Sequence, residues 1–479
     1  MNVYDTLSQA ARQWPDRIAI IDAEGSMDYQ SLWRQIEVVR GELARLGMGH
    51  AQGVGMQGRN GRAFVIGALA ALGCDTVVMP IHHLLKPDEM SAMLARAPLR
   101  AILDDGSGRA PSGESTCEIK VPGGVSLRFT QMAAPPVPLA PWVQDAAFLR
   151  FTSGTTGAAK GVILTHDGVL ERTRAANQGL GLTCEDRVLW VLPMSYHFFA
   201  TILLYLEVGS TIVVGPDYLA ESILDTALRH EATFLYVTPM HVRMLTAEKS
   251  GRALPPKLRR VMSVSSRLHP QSARDFFARY GVAVAQGYGI IEVGLPLMNL
   301  EDAMEHPEAV GRPLPGFDAA ILNENLKPVV TGQTGQLALR GPGMFAGYLN
   351  PQKRREEVLC DGRFLTGDLA HQDDAGRIVI DGRLKTVIDV AGHKVFPEEV
   401  AAVLDQHPAV LRSRVTTRPH PQLGEVVHAE VQLRDGNPPS VTEDILSFCR
   451  RRLSSHKVPT SLDLVAELNL TTSGKVRHG

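Results

Sequence analysis

The stretch Ala146-Ala147-Phe148-Leu149-Arg150-Phe151-Thr152-Ser153-Gly154-Thr155-Thr156-Gly157-Ala158-Ala159-Lys160-Gly161-Val162-Ile163-Leu164-Thr165 places a loop of glycine and hydroxyl residues between two apolar segments. The apolar segments predict one strand entering the loop and another leaving it. Glycines let the backbone approach a bulky anion, hydroxyl and amide groups donate hydrogen bonds to it, and Lys160 adds a positive charge. The stretch therefore predicts a loop that binds phosphate groups.

The loop differs from the P-loop of nucleoside triphosphatases. In the G-x-x-x-x-G-K-[ST] pattern the lysine follows a glycine and a helix begins after it. Here Lys160 follows Ala159, precedes Gly161, and leads into a predicted strand. A different nucleotide chemistry is indicated, and an ordinary polar surface loop stays open at this point.

Composition limits the classes of protein. The chain has 479 residues, more than one hydrophobic core usually serves, so two or more domains are expected. A formal net charge of −2 and 44% hydrophobic residues describe a globular protein without the excess of basic residues that nucleic acid or an anionic membrane would require. We therefore expect no nucleic-acid partner.

Cysteine usage and the apolar segments indicate the compartment. The 5 cysteines are scattered without a C-x-x-C pair, which argues against structural zinc and for a reducing environment. No signal peptide is recognised in the first residues, the apolar run 63–74 is too short to span a bilayer, and the run 198–214 contains Glu207. A cytoplasmic protein without a membrane span is expected.

Helix-like and strand-like segments alternate along the first two thirds of the chain. Residues 31–46 show helical spacing of apolar residues before Gly47, and a helical run from Ala63 precedes the β-rich segment 76–80. Strands are predicted again at 188–193, 211–214, 234–237 and 261–264. This alternation predicts an α/β fold with helix-covered parallel sheets.

Other segments differ in composition and in the elements that they predict. Residues 105–142, rich in Gly, Pro and Ser, are predicted to be a loosely ordered connection, and residues 311–348 a β-rich subdomain with Gly/Pro turns. From about residue 383 the chain is more charged and has its own strand and helix pattern. We predict a large N-terminal domain, residues 1–382, and a small, mobile α+β C-terminal domain, residues 383–479.

Five motifs in a fixed order resemble the acyl-adenylate-forming superfamily of acyl-CoA synthetases, peptide-synthetase adenylation domains and luciferases. They extend from the loop almost to the end of the chain, so the resemblance covers nearly all of it. They are Phe151 to Gly161, Gln286-Gly287-Tyr288-Gly289-Ile290-Ile291-Glu292, Leu365-Thr366-Gly367-Asp368, Asp381-Gly382-Arg383-Leu384-Lys385 and Thr472-Ser473-Gly474-Lys475.

The resemblance implies a reaction and a set of cofactors. A carboxylate would attack the α-phosphate of ATP to give an acyl-adenylate and pyrophosphate, and the acyl group would pass to the thiol of coenzyme A or of a carrier-protein phosphopantetheine. Such chemistry asks the protein mainly to align two anions and to neutralise their charge. ATP, Mg²⁺ and the thiol are the implied partners.

The resemblance also implies roles for particular residues. The pyrophosphate portion of ATP would be held by Thr152, Ser153, Gly154, Thr155, Thr156, Gly157 and Lys160, and Mg²⁺ by Glu292, because Mg²⁺ prefers carboxylate and phosphate oxygens. Tyr288, within Gln286-Gly287-Tyr288-Gly289, would stack on adenine, with Ser265, Ser266 and Arg267 on its other side. Asp368 would accept hydrogen bonds from both ribose hydroxyls and Arg383 would assist near the ribose and phosphate.

The resemblance implies roles for three residues of the C-terminal domain. Lys475 would stabilise the reacting carboxylate and α-phosphate in adenylation. Lys385 occupies the hinge position of the family, and Gly392 lies in the segment that lines the pantetheine tunnel in thioester formation. The implication is a ligase with two steps, of which Lys475 serves only the first.

The sequence departs from the family pattern near the nucleotide. Ala158-Ala159 stands where proline often precedes the lysine, which should alter loop stiffness more than chemistry. Ile291 replaces a threonine commonly found before the metal-binding glutamate, so one hydroxyl contact to phosphate is missing. We expect weaker ATP affinity or a compensating donor.

The acid pocket is predicted around Tyr196-His197-Phe198, with Tyr236 contributing from the predicted strand 234–237. His197 corresponds to a gate residue beside the carboxylate in the family, and a buried core histidine is its alternative. Phe198 stands where enzymes that activate α-amino acids typically have Asp, and an apolar residue cannot compensate a buried ammonium group. An uncharged acid, aryl or aliphatic, is therefore favoured.

Two other functions remain open from the sequence. One is a stand-alone amino-acid adenylation enzyme, which ATP–pyrophosphate exchange with acids and amino acids would distinguish. The other is a non-catalytic nucleotide-binding relative, suggested by Ile291. Neither the acid, nor the choice between coenzyme A and a carrier protein, nor the oligomeric state is given by the sequence.

Overall fold

The computed structural model describes residues 2–85, 87–108, 111–134, 137–151, 160–384, 386, 388–390, 393–420, 424–434 and 441–468. Its helices are α1 (Val3–Gln13), α2 (Tyr29–Arg45), α3 (Arg62–Gly73), α4 (Pro87–Leu94), α5 (His166–Leu180), α6 (Met194–His197), α7 (Leu203–Glu207), α8 (Ala220–Arg229), α9 (Pro239–Ala247), α10 (Pro270–Tyr280), α11 (Pro397–Leu404) and α12 (Thr442–Arg450). A π-helical segment lies at Phe198–Ile202, and short 3₁₀ turns lie at Arg355–Glu357 and Ser455–Lys457.

The strands up to the C-terminal region are β1 (Ile18–Asp22), β2 (Gly25–Asp28), β3 (Gly53–Gly58), β4 (Val77–His82), β5 (Leu99–Asp104), β6 (Ser115–Lys120), β7 (Ser126–Gln131), β8 (Ala146–Phe151), β9 (Gly161–Thr165), β10 (Arg187–Trp190), β11 (Thr211–Val214), β12 (Phe234–Val237), β13 (Arg260–Ser263), β14 (Val284–Ile290), β15 (Gly294–Asn299) and β16 (Arg312–Pro313). The remaining strands are β17 (Asp318–Leu322), β18 (Gly335–Arg340), β19 (Gly347–Tyr348), β20 (Lys353–Arg354), β21 (Phe364–Gln372), β22 (Ile378–Arg383), β23 (Ile388–Val390), β24 (His393–Val395), β25 (Val410–His420), β26 (Gly424–Leu433) and β27 (Ser461–Leu464).

The chain divides into two compact units. The first unit comprises Met1–Pro307, Pro313–Asp318 and Leu339–Phe364, and the second comprises Glu308–Arg312, Ala319–Ala338 and Leu365–Gly479. The sequence boundary between residues 382 and 383 stays a prediction.

Two nine-stranded sheets dominate the larger part of the chain. One has the order β16-β15-β14-β13-β12-β10-β11-β1-β2, and its strands from β14 to β1 are parallel. The other has the order β20-β19-β9-β8-β4-β3-β5-β7-β6, with β8, β4, β3 and β5 parallel. Parallel strands are covered on both faces, which explains continuous apolar runs such as Phe234–Val237, buried at every residue. The predicted helix-covered parallel sheets are confirmed.

The segment 105–142 differs from its prediction. It contains β6 and β7, an antiparallel pair that extends the second sheet beyond β5. Side chains of β7 alternate as expected for a strand with one covered face: Leu127 and Phe129 are buried, while Ser126 and Arg128 are exposed. The Gly, Pro and Ser residues that suggested a loose connection flank these strands.

The second unit contains most of a four-stranded sheet, β17-β18-β21-β22, and a five-stranded sheet in the order β24-β23-β26-β25, in which β27 pairs with β26. The five-stranded sheet buries apolar residues with α11 and α12, including Val395, Val400, Leu404, Val431 and Ile445. These elements confirm the predicted β-rich region and the small α+β C-terminal region. None of the described helices is both long enough and apolar enough to cross a bilayer.

Candidate active site

Several predicted site residues lie outside the described residues. These are the phosphate-loop residues Thr152, Ser153, Gly154, Thr155, Thr156 and Gly157, the hinge residue Lys385, the tunnel residue Gly392 and the catalytic candidate Lys475. The two strands that flank the loop are described: β8 and β9 pair antiparallel, with Phe151 opposite Gly161. The strand–loop–strand arrangement that the sequence predicts is confirmed at both ends of the loop.

Lys160 and Glu292 are brought to one place although 131 positions of sequence separate them. The phenolic hydroxyl of Tyr348 donates a 2.9 Å hydrogen bond to Oε1 of Glu292, and the Lys160 ammonium lies 4.7 Å from the centroid of the same Tyr348 ring. Pairing of β19 with β9 explains the meeting, because Tyr348 is opposite Val162. Tyr348 therefore contacts both the lysine and the carboxylate.

Glu292 is a buried carboxylate with 9% exposure. Burial raises its pKa, while the Tyr348 hydrogen bond and the positive charges of Lys160 and Arg172 act in the opposite direction. Clusters of three or more His, Cys, Asp and Glu side chains that could hold a metal are absent from the described part of the chain. One carboxylate fits Mg²⁺ when substrate phosphates and water supply its other ligands.

Arg172 fixes the turn that carries Glu292. It lies in α5, is 2% exposed, and donates hydrogen bonds of 2.8 Å to the carbonyls of Ile291 and Gly343. The Phe345 amide donates a further 2.8 Å bond to the Glu292 carbonyl. Strand β9 leaves the phosphate loop and α5 begins directly after it. The segment that follows the loop therefore also holds the backbone around Glu292 in position.

Tyr288 lies on β14, which forms a hairpin with β15 and places Tyr288 opposite Leu297. Close packing explains the glycines beside it. A Cβ atom on Gly289 would lie 2.8 Å from the Gly294 carbonyl oxygen, and one on Gly287 would lie 3.2 Å from Leu295. Tyr288 is partly buried, so part of its surface is accessible to a ligand.

The segment Ser265–Arg267 is exposed and follows β13. Ser265 has a left-handed φ of 74°, a conformation that costs energy in a residue with a side chain. Gln286 supports this segment: its Oε1 accepts a 2.8 Å hydrogen bond from the Leu268 amide, and its Nε2 donates to the Pro307 carbonyl. Gln286 thus acts on the backbone of the segment through its side-chain amide.

Asp368 and Arg383 are direct partners in the second unit. They are opposite each other on β21 and β22, and Nε of Arg383 lies 2.9 Å from Oδ1 of Asp368. Asp368 is 4% exposed and follows Gly367, whose φ of 76° suits glycine. The sequence assigned both residues to the nucleotide but did not predict their contact.

The predicted acid-pocket residues fall into different environments. The His197 ring packs edge-on against Trp190 and Tyr236, with centroids 5.5 and 5.9 Å away, and Tyr236 stacks on Trp190 across neighbouring strands. Tyr236 is 3% exposed, and burial raises its pKa. His197 and Tyr236 are thus brought together.

Phe198 and Tyr196 have other neighbours. Phe198 is fully buried and its ring contacts Phe64 and Phe148, so its side chain belongs to the core. Tyr196 stacks on His82 at 5.3 Å. Tyr196 and Phe198 thus contact other rings than the Trp190–Tyr236 pair against which His197 packs.

Sequence reasoning missed Tyr348 and Arg172. Tyr348 belongs to the short strand Gly347–Tyr348. The sequence pattern of residues 311–348 predicted strands there but did not predict which strand pairs with this one. Arg172 lies on a buried face of α5 among Val169, Thr173 and Ala176. A basic residue within that apolar face was the available signal.

Comparison with known proteins identifies the two parts of the chain. Residues 7–349 match the family described as AMP-binding enzyme, and residues 399–475 match the AMP-binding enzyme C-terminal domain. Over 501 aligned residues the chain is 31% identical to a sulfoacetate–CoA ligase of Cupriavidus necator, covering 99% of this chain and 97% of the relative. It is 28% identical to a salicyl-AMP ligase/salicyl-S-ArCP synthetase of Mycobacterium tuberculosis, covering 98% and 88% respectively.

Solved structures share the fold. The ATP-bound structure of MatB from Rhodopseudomonas palustris superposes with a TM-score of 0.84 at 25% identity, covering 99% of this chain and 97% of that one. These relatives do not favour amino-acid adenylation or a non-catalytic role. The chain therefore belongs to the AMP-binding enzyme family, as an ATP-dependent ligase that adenylates a carboxylic acid and transfers the acyl group to the thiol of coenzyme A or of a carrier protein.

Proposed function

We propose that the meeting of Lys160, Tyr348 and Glu292 marks the place where the pyrophosphate portion of ATP binds. Lys160 follows the predicted phosphate loop directly, its ammonium lies near the Tyr348 ring, and the Glu292 carboxylate accepts a hydrogen bond from the hydroxyl of the same tyrosine. A positive group for phosphate and a carboxylate for a divalent cation are what a metal–triphosphate complex needs. This arrangement is the observation that carries the proposal.

The first step joins the acid to the nucleotide. A carboxylate oxygen forms a bond to the α-phosphorus while the bond from that phosphorus to the bridging oxygen breaks, and pyrophosphate leaves. Bound Mg²⁺ would neutralise charge on the phosphates. In the proposal Glu292 holds that ion, Tyr348 orients Glu292, and Lys475 stabilises the charge at the reacting centre.

The second step is thioester formation. The sulfur of the thiol attacks the acyl carbon, AMP leaves, and the thiol proton passes to solvent. We assign Lys385 to the hinge and Gly392 to the thiol tunnel on the resemblance alone. A carrier protein as acceptor is supported by the similarity to a salicyl-S-ArCP synthetase, and coenzyme A by the similarity to a sulfoacetate–CoA ligase.

Nucleotide recognition is assigned to three groups. Tyr288 stacks on adenine, the exposed segment Ser265–Arg267 lies along the base, and Asp368 binds the ribose diol with Arg383 beside it. The Arg383 pair holds one oxygen of Asp368 in place, which orients the carboxylate before the ribose arrives.

Pyrophosphate exchange tests this function. Exchange of labelled pyrophosphate into ATP is measured with a panel of carboxylic acids and the twenty amino acids, and the product is then offered coenzyme A or a holo carrier protein. We expect acids without an ammonium group to stimulate exchange and amino acids to have no effect. Exchange driven only by amino acids would contradict the proposal, and so would a complete lack of exchange with every compound.

A further inference from the structure

Arg150 presents a half-buried positive charge next to the predicted acid pocket. It lies on β8, two residues before the phosphate loop, and its guanidinium carbon is 4.2 Å from the centroid of the Tyr196 ring. Its Nη1 donates a 2.9 Å hydrogen bond to the Ser195 carbonyl. Burial lowers the pKa of Arg150 to about 10, so the group is still charged at neutral pH.

No carboxylate pairs with Arg150 among the residues that the structure describes. A guanidinium that is partly withdrawn from water is normally paired with an anion. Elsewhere in the first unit such pairs do occur, namely Arg62 with Asp22 at 2.6 Å, Arg128 with Asp104 at 2.7 Å and Arg259 with Asp186 at 2.8 Å.

The neighbours of Arg150 are aromatic and neutral. The Tyr196 ring also stacks on His82 at 5.3 Å, and His82 stacks on His83 at 4.8 Å. Burial and nearby positive charges lower the pKa of His82 to about 4, so His82 is neutral at pH 7. We call Arg150, Tyr196, His82 and His83 the Arg150 cluster; its charge at neutral pH is the single positive charge of Arg150.

A comparison with Arg172 separates a structural role from a binding role. Arg172 directs Nε, Nη1 and Nη2 to backbone carbonyls, which satisfies its donors within the fold. Arg150 donates one hydrogen bond within the described residues, to Ser195. The planar fork of a guanidinium suits carboxylate and sulfonate oxygens, so donors of Arg150 remain for an anion that the protein binds.

We propose that Arg150 selects an acid with a second anionic group, a carboxylate or a sulfonate, besides the reacting carboxylate. Tyr196 of the cluster is itself one of the predicted acid-pocket residues, and it directly precedes His197 in the chain. The inference rests on the proposed function. It replaces the uncharged acid expected from Phe198, whose side chain lies in the core.

Paired substrates test the proposal. Pyrophosphate exchange is measured with succinate against its monoamide succinamate, and with sulfoacetate against methylsulfonylacetate, so that each pair differs mainly in the second charge. Hexanoate and benzoate represent the uncharged acids. We expect kcat/KM to favour at least one dianionic acid over its neutral partner by at least about 10-fold, the effect of a charge-assisted hydrogen bond to a partly buried group. The two pairs distinguish a carboxylate from a sulfonate.

Variants of Arg150 assign the preference to this residue. Arg150→Gln should remove the preference for the second charge while leaving the KM of ATP unchanged, and Arg150→Lys should restore part of it. Arg59→Gln is the control, because Arg59 is exposed and its charge also acts on His83. The thermal unfolding midpoint and the exchange rate with the neutral acids report whether each variant is folded.

The outcomes separate the two levels of the proposal. Faster exchange with the neutral partners or with hexanoate and benzoate would overturn the role of Arg150 and support the uncharged acid. A rise in the KM of ATP in Arg150→Gln, equal for every acid, would assign Arg150 to the triphosphate instead. Lack of exchange with all the acids would overturn the proposed function and this inference with it.

Discussion

Glu292 and Tyr348 make the nucleotide site sensitive to pH. The metal ligand must be ionised, and burial raises the pKa of Glu292, so Mg²⁺-dependent ATP binding should weaken as pH falls and do so at a higher pH than for an ordinary glutamate, about 4.3. Tyr348→Phe removes the hydroxyl that stabilises the ionised carboxylate, and should move the midpoint upward by roughly one pH unit. Calorimetric titration of ATP with Mg²⁺ between pH 5 and 8 measures the midpoint.

A second tyrosine provides the control for this change. Tyr280→Phe also removes a hydroxyl from a partly buried tyrosine of the first unit, one that donates to the Leu245 carbonyl at 2.6 Å. It should leave the midpoint where it is. An unchanged midpoint in Tyr348→Phe would show that the Tyr348 hydrogen bond does not control ionisation of Glu292.

Asp368 can be tested with nucleotides that lack one hydroxyl. If both of its oxygens bind the ribose diol, Asp368→Asn should weaken ATP binding by about 10- to 100-fold, since it removes charge-assisted hydrogen bonds. The variant should also bind ATP and 2′-deoxy-ATP with similar affinity, whereas the original protein should prefer ATP. Asp361→Asn changes a carboxylate with 96% side-chain exposure and serves as the control. If the Asp368→Asn variant still preferred ATP over 2′-deoxy-ATP, the ribose hydroxyls would be bound by another residue.

At the scale of elements, α5 holds the turn that carries Glu292, and glycine makes the contact possible. Gly343 has a φ of 65°, and a Cβ atom there would lie 1.9 Å from the Gly168 carbonyl oxygen and 2.8 Å from the Arg172 nitrogen. Gly343→Ala should therefore lower the free energy of unfolding by about 1–2 kcal/mol for the left-handed conformation, and by a further ~1–3 kcal/mol for the backbone that the new atom displaces.

The end of the same helix supplies the matched control. Gly181 has a φ of 60° with nothing within 4 Å of a Cβ atom. Gly181→Ala should therefore lower the free energy of unfolding only by the cost of the left-handed conformation. Denaturant midpoints of the two variants measure the difference. Equal midpoints would show that the backbone around α5 accommodates the extra atom.

Most elements that flank the site follow from sequence pattern. The helix at residues 31–46 and the strands at 211–214 and 234–237 appear within about two residues of their predicted positions, because period and flanking residues mark them. The strands β6 and β7 were missed because the surrounding Gly, Pro and Ser residues dominate the composition of 105–142. The π-helical segment Phe198–Ile202 has no pattern that distinguishes it from an α-helix.

At the scale of the whole molecule, the two-step assignment predicts that Lys475 serves adenylation alone. Lys475→Ala should reduce acyl-adenylate formation by at least about 100-fold, through loss of charge stabilisation in the transition state. It should leave thioester formation from a chemically prepared acyl-adenylate within a few-fold of the original rate. Single-turnover measurements of each step check this.

Lys120→Ala provides the control for that experiment, because Lys120 is an exposed lysine that pairs with Glu118 at 3.0 Å. Both steps should be unaffected by it. If Lys475→Ala slowed both steps equally, Lys475 would not be specific to the first step; if it slowed neither, the assignment of Lys475 would fail.

The sequence by itself determined the family, the order of the motifs and the α/β fold, because glycines, hydroxyls and single charged residues at fixed places along the chain identify a chemistry without coordinates. Tertiary structure decided which of them meet. Strand pairing brings Tyr348 against Lys160 and Glu292, and opposes Asp368 to Arg383. Packing also partly buries Arg150 beside Tyr196, a charge whose significance depends on neighbours that meet only when distant segments pack together.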